Sequence, residues 1–366
     1  MRVDLLSYDL PSERIAQYPT GQREEARMLS VPREGEMSHH RVGELAEHLP
    51  EGALVVLNDT RVLPARLIAV KETGGRVEIF LVRRTGETTV EARGEARAAS
   101  RWRALGKASK ALRFGVDLRV IPADETASAK GALVVRLLCR ADDDGLLDVA
   151  LYTVGDLSVD DAIQAFGRMP LPPYIKRDAE KDDVERYQTV FARAPGAIAA
   201  PTAGLHLSRA VLGRLAVRGC EVVTVTLHVG LGTFQPVTVE DLDQHAMHTE
   251  HFEVSRVTSS AIAKAKSEGR TVVAVGTTVI RALESAVENG EVKPMMGDTK
   301  LLIQPGHTFH SADILLTNFH LPRSTLLALV CAFGGKERVF AAYKTAIDAG
   351  YRFYSYGDAM LLERSP

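Results

Sequence analysis

The sequence contains few cysteines and no long apolar run. Its three cysteines, Cys139, Cys220 and Cys331, are far apart and lack CxxC spacing, which argues for a reducing compartment and against both a disulfide framework and a zinc ribbon. The longest uninterrupted apolar run, 326–333, is too short to span a bilayer. The first residues also lack the basic and apolar segments of a signal peptide. We therefore predict a cytoplasmic protein with no membrane partner.

The whole chain has little net charge, but two of its regions have a clear excess of one sign. The net charge of the 366 residues is -2. Residues 61–119 contain 14 Lys or Arg against 6 Asp or Glu, whereas residues 121–186 contain 8 against 14. The first of these regions is basic enough to attract a phosphate backbone. A solvated arginine-rich face is the alternative interpretation.

Common motifs for nucleotide binding and for nucleophilic catalysis are also missing. The chain has no Walker lysine motif and no GxSxG elbow. The segment HVGLGTFQPV, 228–237, follows the β-branched run CEVVTVTL, so Gly230 and Gly232 lie where a strand is expected to end. A dinucleotide loop needs a third glycine that opens a helix, which this segment lacks. Glycines here still allow the backbone to approach a ligand closely, and we predict a ligand loop.

The order of helix and strand signals predicts an α/β fold. From residue 200 onward, amphipathic helices capped by Ser208, by Thr258 or Ser259 and by Ser324 or Thr325 alternate with apolar strands, among them TKLLIQ at 299–304. This pattern favours a largely parallel sheet or a barrel-like α/β core. We predict that residues 1–66 and 158–366 form this core. The flanking segment 160–177 is expected to be strand or loop.

Residues 67–157 have a different texture. Short β-branched stretches such as RLIAV, RVEIFLV, TTVEA and ALVVRLL are separated by turn residues, which is typical of antiparallel strands. We predict a small, mostly antiparallel β-barrel domain, inserted into the α/β core and basic in its first half.

Polar clusters follow several of the predicted core strands. Because the carboxyl ends of parallel strands lie at one edge of a sheet, such clusters mark a ligand site, and helix N-termini beside them favour anions. Each cluster taken alone has a structural explanation as a cap or an ion pair. The clusters are Asn58–Arg61, Thr202–His206, His228–Thr233, Gly276–Thr278 with Arg281, and Asn318–Leu321.

Three histidines, His245, His248 and His251, recur at every third residue, with Glu250 between the last two. On a helix this spacing separates successive side chains by about 60°, and the segment EHFEVS is strand-like. A shared zinc site is therefore disfavoured. We predict a site without metal, lined by Glu250 and His248.

Taken together, the motifs LNDTRVLPARL, PLPPYIKR, APTAGLHL, HVGLGTFQPV, HAMHTEHFEV, AVGTTVIRALES, LLTNFHLPRSTL and YRFYSYGDAMLL resemble those of the S-adenosylmethionine:tRNA ribosyltransferase-isomerases of queuosine biosynthesis. The resemblance covers nearly the whole chain. The chain departs from the family pattern at Leu207, Lys300, His307 and Arg323. An α/β core with an inserted β-barrel is also what the resemblance implies.

The resemblance implies a reaction at the wobble position of a tRNA that carries an aminomethyl-deazaguanine. The ribosyl part of S-adenosylmethionine is transferred to that amine and isomerised, which leaves epoxyqueuosine in the tRNA and releases adenine and methionine. S-adenosylmethionine is a cosubstrate, and no prosthetic group or metal is implied. Proton removal beside the sulfonium requires a base of near-neutral strength.

The resemblance and the strand-end pattern together assign candidate residues. The candidates for proton transfer are Asp59, His206, His228 and Glu250, which the sequence does not rank. The candidates for binding the cosubstrate are Gly230, Gly232 and Thr233 in the loop, Gly276, Thr277, Thr278 and Arg281 for the methionine carboxylate, and Asn318, Phe319, His320, Leu321 and Thr325 for the nucleoside. The candidates for tRNA contact are Arg61, Tyr174 and Arg177, whereas Trp102 either stacks on a base or packs in the barrel.

Two rival functions remain open from the sequence. A methyltransferase that uses the same cosubstrate would need a glycine-rich loop after its first strand and an acid at the next strand end, an order that is not found. A non-catalytic RNA-binding module would use the basic region and leave the strand-end clusters structural. We predict a monomer.

Overall fold

The computed structural model describes residues 1–92, 94–123, 131–141, 146–230 and 237–366. The chain folds into two compact units. The core unit contains Met1–Arg61, Pro172–Asp178 and Val184–Pro366, and the second unit contains Val62–Leu171 and Ala179–Asp183. No helix within the described ranges has both the length and the apolar character needed to cross a bilayer.

The strands are Arg27–Val31 (β1), Ser38–Arg41 (β2), Leu54–Asn58 (β3), Thr60–Val62 (β4), Arg66–Val70 (β5), Arg76–Ala92 (β6), Glu95–Ala108 (β7), Asp117–Val120 (β8), Ala132–Arg140 (β9), Leu147–Val154 (β10), Ala194–Ala197 (β11), Glu221–Leu227 (β12), Glu250–Val254 (β13), Val272–Val275 (β14), Val287–Glu288 (β15), Glu291–Val292 (β16), Met295–Thr299 (β17), Ile314–Asn318 (β18) and Ala359–Glu363 (β19). The α-helices are Val159–Phe166 (α1), Asp183–Arg186 (α2), Arg209–Val217 (α3), Arg256–Ser267 (α4), Thr277–Ser285 (α5), Thr325–Gly334 (α6) and Lys336–Asp348 (α7). Short 3₁₀ helices cover Val3–Leu6, Ser12–Arg14, Arg23–Glu25, Val42–His48, Thr202–His206 and Leu242–Gln244.

A nine-stranded mixed sheet organises the core unit. Its order is β17-β13-β12-β3-β14-β18-β19-β1-β2. The central strands β12, β3, β14 and β18 run parallel to one another, whereas β13 and β19 pair antiparallel with β12 and β18. The carboxyl ends of the four central strands therefore lie at the same edge of the sheet.

The central strands are apolar on both faces because both faces are covered. All five residues of β3 are buried, as expected for a strand between parallel neighbours with helices on each side. Leu54 and Val56 join one apolar cluster with residues of α5, α6 and α7, and Val55 and Leu57 join another with residues of α3. The strand β13, in contrast, alternates buried and exposed residues.

Two of the predicted helix caps are confirmed and one is wrong. The hydroxyl groups of Ser208 and Ser324 accept hydrogen bonds from backbone amides in the first turns of α3 and α6. The cap of α4 is Ser255 rather than Thr258 or Ser259, because the Ser255 hydroxyl accepts the Thr258 amide hydrogen bond. The helix therefore begins one turn earlier than predicted.

Two other local predictions are wrong. The segment TKLLIQ was expected to be a strand, but β17 ends at Thr299. The Leu301 amide donates to the Thr299 hydroxyl and the Leu301 carbonyl accepts from Arg281, so side chains satisfy the backbone there. The segment 160–177 was also expected to be strand or loop, but it contains most of the helix α1. Ser158 caps this helix by accepting from the Asp161 amide.

The second unit contains one six-stranded antiparallel sheet. Its order is β10-β7-β6-β5-β8-β9, and β9 also pairs with β10. The stretches RVEIFLV and TTVEA, expected as two strands, belong to the single strand β6, whose register shifts at two bulges. Buried residues alternate with less buried ones along β5 and β8, so one face of each strand is covered. Trp102 is buried, and its Nε1 donates to the Ser100 hydroxyl.

The predicted mixed α/β architecture with a separate antiparallel sheet is confirmed. The prediction of a barrel-like core is wrong. Over the described residues its sheet runs from the edge strand β17 to the edge strand β2. The reason is the antiparallel pairing of β13 with β17 at one side and of β1 with β2 at the other, which continues the sheet outward.

Candidate functional site

A cavity lies at the edge of the core sheet where the central parallel strands end. With its open mouth included, it encloses about 790 Å³. Gly276 follows β14 and Asn318 ends β18, so two strand ends contribute directly to its wall. Its lining includes the predicted residues Gly276, Thr277, Thr278, Arg281, Asn318, His320 and Leu321, together with Tyr174, Ala199, Ala200, Thr202, Ala203, Val229, Thr317, Ser324, Leu326, Tyr354 and Ser355.

Asn318 is held rigidly in the wall of this larger cavity. Its Oδ1 accepts from the Thr202 hydroxyl at 3.1 Å, and its Nδ2 donates both to the Tyr354 carbonyl and to Nε2 of His206, each at 3.0 Å. Because an amide nitrogen only donates, Nε2 of His206 accepts, and the proton of the neutral ring lies on Nδ1. Asn318 therefore keeps only one carbonyl lone pair for a ligand.

His206 lines neither this cavity nor the smaller one beside it. It is buried, and burial together with the positive charges of Arg352 and Arg23 lowers its pKa to about 4. His320, which does line the larger cavity, has its pKa lowered to about 3 by burial and contacts the Thr317 hydroxyl through Nε2. Both rings are neutral at pH 7.

His228 is connected to the larger cavity through a chain of hydrogen bonds. Asn58 donates from Nδ2 to the Thr278 hydroxyl and accepts the Thr60 amide at Oδ1. The Thr60 hydroxyl contacts Nδ1 of His228 at 2.7 Å. Burial, followed by the neighbouring His251, lowers the pKa of His228. The ring does not itself line the cavity, although the next residue, Val229, does.

The backbone of Gly196 approaches the His228 ring closely. Gly196 has φ +150°, and a Cβ atom there would lie 2.8 Å from Cε1 and Nε2 of His228. A side chain at this position would displace the ring. This glycine therefore fixes the position of His228, and the sequence pattern did not single it out.

Asp59 is buried beside this chain but faces other partners. Its two carboxylate oxygens accept from the Thr226 hydroxyl at 2.7 Å and from Nη2 of Arg193 at 2.8 Å. Asp59 is 2% exposed and lines neither cavity. Both oxygens are thus engaged in joining β12 and the segment around Arg193 to the end of β3.

Glu250 and Arg281 form a buried ion pair at the wall of a second, smaller cavity. Nη1 of Arg281 donates to Oε2 of Glu250, whose Oε1 accepts from the Gly230 amide at 2.9 Å. Nε of Arg281 donates to the Leu301 carbonyl. Nη2 of Arg281 is buried and lacks a hydrogen-bond partner within the described part of the chain. An unpaired guanidinium nitrogen of this kind is suited to a carboxylate.

The smaller cavity shares Arg281 and Leu326 with the larger one. With its open mouth included, it encloses about 470 Å³. Thr325, predicted to contact the nucleoside, lies in this wall. The full lining is His245, Met247, His248, Glu250, Arg281, Leu301, Leu302, Ile303, Thr325, Leu326 and Leu329.

Several predicted residues lie elsewhere. The Phe319 side chain is fully buried in an aromatic cluster with Tyr343, Tyr351 and Phe353. Gly232 and Thr233 lie outside the described residues. The remaining candidates were proposed as tRNA contacts: Arg61 is exposed, Tyr174 lines the larger cavity, and Arg177 lies over the Tyr18 ring and donates to the Gln17 carbonyl.

Some lining residues were not predicted from the sequence because no strand end precedes them. Tyr354 and Ser355 enter the larger cavity from the segment after α7, where Tyr354 stacks on Tyr174 with ring centroids 4.6 Å apart. Tyr354 has φ +71°. The motif YRFYSYGDAMLL contained both residues, and its density of aromatic and glycine residues was the available signal.

One group of side chains in the described ranges has the donor types and spacing of a metal site. The ligand atoms of His40, Glu44 and His48 lie within 4.8 Å of one another. This group lies on β2 and the following 3₁₀ helix and lines neither cavity. His245 and His248, in contrast, line the smaller cavity, and His251 contacts Asp298.

The fold and the cavities define an α/β protein with a cavity at the carboxyl ends of its parallel strands and a buried ion pair beside it. Comparison with known proteins specifies the family. A family model described as "Queuosine biosynthesis protein" matches residues 3–362. The chain therefore belongs to the queuosine biosynthesis protein family, as the motif resemblance predicted.

The chain is similar over its full length to curated and solved members of this family. Proteins named S-adenosylmethionine:tRNA ribosyltransferase-isomerase are 52% identical in Sorangium cellulosum, over 99% of this chain and 98% of that protein, and 49% identical in Acidithiobacillus ferrooxidans, over 97% and 96%. The crystal structure of the S-adenosylmethionine tRNA ribosyltransferase from Thermotoga maritima matches with a TM-score of 0.53 at 31% identity, covering 98% of this chain and 99% of that one.

Proposed function

We propose that this chain transfers and isomerises the ribosyl moiety of S-adenosylmethionine onto the aminomethyl-deazaguanine at the wobble position of a tRNA. The products are epoxyqueuosine in the tRNA, adenine and methionine. Family membership and full-length relatives that carry the name of this enzyme support the activity. S-adenosylmethionine is the cosubstrate.

The core-unit cavities are where we place the cosubstrate, and Arg281 is the observation that carries this placement. Arg281 is 5% exposed, its guanidinium is paired with Glu250, and its Nη2 has no hydrogen-bond partner among the described residues. A buried donor without a partner costs about 1–3 kcal/mol. A ligand carboxylate removes that cost, and the methionine carboxylate of S-adenosylmethionine is the group available. The N-terminus of α5, at Thr277 and Thr278, adds backbone amides at the same wall.

The larger cavity suits the nucleoside. The stacked rings of Tyr174 and Tyr354 offer an apolar surface, and Thr202, Thr317 and Asn318 offer polar edges. We assign His206 to hold Asn318 in position, because its Nε2 is engaged with the Asn318 amide. Ring stacking with amide recognition of the edge is a common way to hold a base.

His228 is our candidate for the base. Its lowered pKa keeps the ring neutral at pH 7, which is the form that accepts a proton. Thr60 contacts Nδ1, so Nε2 is the atom left for proton transfer. The hydrogen bonds through Asn58 to Thr278 fix this ring relative to the cavity wall. Asp59 and Glu250 act through their partners, since both oxygens of each carboxylate are already engaged.

We further propose that the antiparallel second unit is an inserted β-barrel domain whose exposed basic residues contact the tRNA. Support comes from its closed set of strand pairings and from exposed Lys107, Arg113 and Arg119. Arg61 and Arg177 remain our candidates for contact with tRNA from the core unit. A monomeric state and a cytoplasmic location, where tRNA is modified, complete the proposal.

The experiment that tests the activity measures adenine release from S-adenosylmethionine with and without tRNA that bears the aminomethyl-deazaguanine, followed by mass analysis of the tRNA. We expect release that depends on the modified tRNA and a matching gain in its mass. Arg281→Lys should raise the KM for S-adenosylmethionine at least tenfold, since lysine keeps the charge but lacks the second nitrogen. The absence of adenine release despite tRNA binding would contradict the proposal.

A further inference from the structure

Three side chains with metal-binding atoms come together at the edge strand β2 of the core sheet. His40 belongs to β2, and Glu44 and His48 belong to the 3₁₀ helix Val42–His48 that follows it directly. Their ligand atoms lie within 4.8 Å of one another. None of the three lines either cavity, so the cosubstrate does not explain their position.

The geometry of this group suits a small cation. The imidazole rings of His40 and His48 have centroids 3.7 Å apart. A tetrahedral ion with ligand distances of about 2.0–2.2 Å holds its ligand atoms roughly 3.3 Å apart. The side chains of His40 and Glu44 are 23% and 47% exposed, so small rotations can close the remaining distance while one side of the group stays open to water.

A hydrogen bond orients His40 for coordination. Its Nε2 contacts the Ser38 hydroxyl at 2.8 Å, and its Nδ1 lies 3.7 Å from Oε2 of Glu44. When the hydroxyl accepts the Nε2 proton, the lone pair of the neutral ring is on Nδ1, on the side of Glu44. Ligating histidines generally donate their other ring nitrogen to such a partner, which fixes the tautomer and the ring orientation. Ser38 provides this partner.

The Glu44 carboxylate is positioned by the backbone and is not neutralised by a permanent cation. Its Oε2 accepts from the Arg41 amide at 3.1 Å. The Arg41 guanidinium donates elsewhere, through Nη1 to the Glu25 carbonyl at 3.0 Å. Among the described residues, the ion-pair partner of Glu44 is His40 and not a lysine or an arginine. A bound metal ion would supply the positive charge that this carboxylate lacks.

We propose that His40, Glu44 and His48 form a binding site for a divalent transition-metal ion, with Zn²⁺ as the best match and water as the fourth ligand. Two imidazoles and one carboxylate are ligands that Zn²⁺ takes in tetrahedral sites. The ion connects the edge strand β2 to the last residue of the following 3₁₀ helix, and so stabilises this end of the sheet. The site is independent of the proposed function.

The first test is calorimetric titration of the full-length, EDTA-treated protein with ZnCl₂. We expect one equivalent to bind with micromolar affinity. His40→Gln and His48→Gln should each weaken binding at least tenfold. His39→Gln is the matched control, because neighbouring residues of a strand point to opposite faces and His39 contacts Tyr351 instead. It should bind zinc as the unmodified protein does.

The location of the ion needs this comparison, because the chain contains 11 histidines. Unchanged zinc affinity in His40→Gln and His48→Gln would place the ion elsewhere and overturn the site. The absence of zinc binding to the unmodified protein at micromolar concentration would overturn it too, and would leave the group as an ion pair beside two packed rings.

Thermal denaturation tests the effect on the fold. An ion that binds only the folded chain raises its Tm. Zn²⁺ should therefore raise the Tm of the unmodified protein and of His39→Gln by a few degrees, and leave that of His48→Gln unchanged. An equal rise in all three proteins would contradict a stabilising role for this group.

A cation series tests the ligand set without any variant. Co²⁺ and Ni²⁺ should compete with Zn²⁺, whereas Mg²⁺ and Ca²⁺ at the same concentration should not, because these hard cations prefer oxygen ligands. X-ray absorption at the zinc edge of the loaded protein should show two imidazoles bound to the ion. Displacement of zinc by Mg²⁺, or a spectrum without imidazole ligands, would refute the proposal.

Discussion

At the scale of single residues, substitutions in the ion pair of Glu250 and Arg281 should strongly destabilise the fold. Both side chains are buried, at 4% and 7% exposed. Glu250→Gln removes one charge and leaves the other uncompensated in the core. We expect the free energy of unfolding to fall by about 3–5 kcal/mol. Denaturant titration followed by circular dichroism measures this loss.

Two further variants separate the ion pair from a general effect of the substitution. Lys344→Met breaks a pair with Asp348 that is more than half exposed, and should cost less than about 1 kcal/mol. The double variant Glu250→Gln with Arg281→Met removes both charges and should recover part of the loss. Equal losses of unfolding free energy in the Glu250 and Lys344 variants would show that the buried pair stabilises the fold no more than an exposed pair does.

Two buried histidines predict a specific pH dependence. Burial lowers the pKa of His206 to about 4 and that of His320 to about 3, whereas the unfolded chain takes up these protons near pH 6.5. The stability that depends on their neutral form is therefore complete above about pH 6.5 and decreases as the pH falls toward 4. Each ring contributes a slope of about 1.4 kcal/mol per pH unit in that window.

His206→Gln should reduce the slope of the unfolding free energy against pH by about one proton between roughly pH 6 and pH 5. Urea titrations at several pH values measure this slope. His39→Gln is the control, because His39 is exposed and its ring contacts Tyr351. A pH slope for His206→Gln that equals that of the unmodified protein would contradict the prediction.

The candidate site could be predicted in part from the sequence. Glycine, threonine and asparagine after apolar runs singled out Gly276, Thr278 and Asn318, which line the larger cavity because parallel strands end at one edge. Their role in binding the cosubstrate stays a prediction. The sequence could not rank Asp59 against His228. Their difference depends on partners distant in the chain, Arg193 for Asp59 and Thr60 for His228.

At the scale of elements, the N-terminus of α5 depends on the backbone of Gly276, which has φ +99°. An alanine there is strained by about 1–2 kcal/mol, although its Cβ meets the Thr278 hydroxyl at an ordinary 3.5 Å. We expect Gly276→Ala to lower the unfolding free energy by that amount and to raise the KM for S-adenosylmethionine. Thermal denaturation and steady-state kinetics provide the two readouts.

Gly213 is the matched glycine for this test. It lies within α3, and a Cβ added there meets none of the described atoms within 4 Å. Gly213→Ala should therefore stabilise the protein by about 0.5–1 kcal/mol, since alanine favours helix. Opposite signs at the two positions are expected, and a stabilising Gly276→Ala would refute the role of its backbone geometry.

The elements also show why sequence patterns fail at particular places. The runs that became β3, β12 and β18 are rich in Val, Leu and Thr and were predicted as strands. The strand β7 has the sequence EARAASRWRALGKA, whose alanines, glycine and lysine have low strand propensity. It is a strand because it pairs with β6 along its length. Pairing of this kind is tertiary, and no local window contains it.

At the scale of the whole molecule, the basic character of residues 61–119 is partly neutralised by acids of residues 121–186. Within the second unit, Arg84 pairs with Asp160 and Arg101 pairs with Asp148. The charge that remains available for a tRNA is smaller than the composition suggests.

Exposed cations of the second unit should set the salt dependence of tRNA binding. Replacing Lys107, Arg113 and Arg119 by serine should weaken tRNA binding and reduce the slope of log affinity against log salt by about 0.7–0.9 for each phosphate that is no longer neutralised. Replacing Lys264 and Lys344, which are exposed on core helices, is the control and should leave the slope unchanged. Filter binding at several salt concentrations gives the answer, and identical slopes for both sets would exclude binding of tRNA by this surface.

The place of β19 in the core sheet has a consequence for biosynthesis. Residues 359–363 lie between β18 and β1, so β1 gains a parallel partner from a strand made near the other end of the chain. At about 5–20 residues per second, a ribosome needs on the order of tens of seconds to travel from one to the other. During that interval Met28, Leu29 and Val31 lack the neighbour that covers them. We expect the nascent N-terminal segment to remain available to a chaperone that binds apolar strands until residues 359–363 have emerged from the ribosome and paired with it.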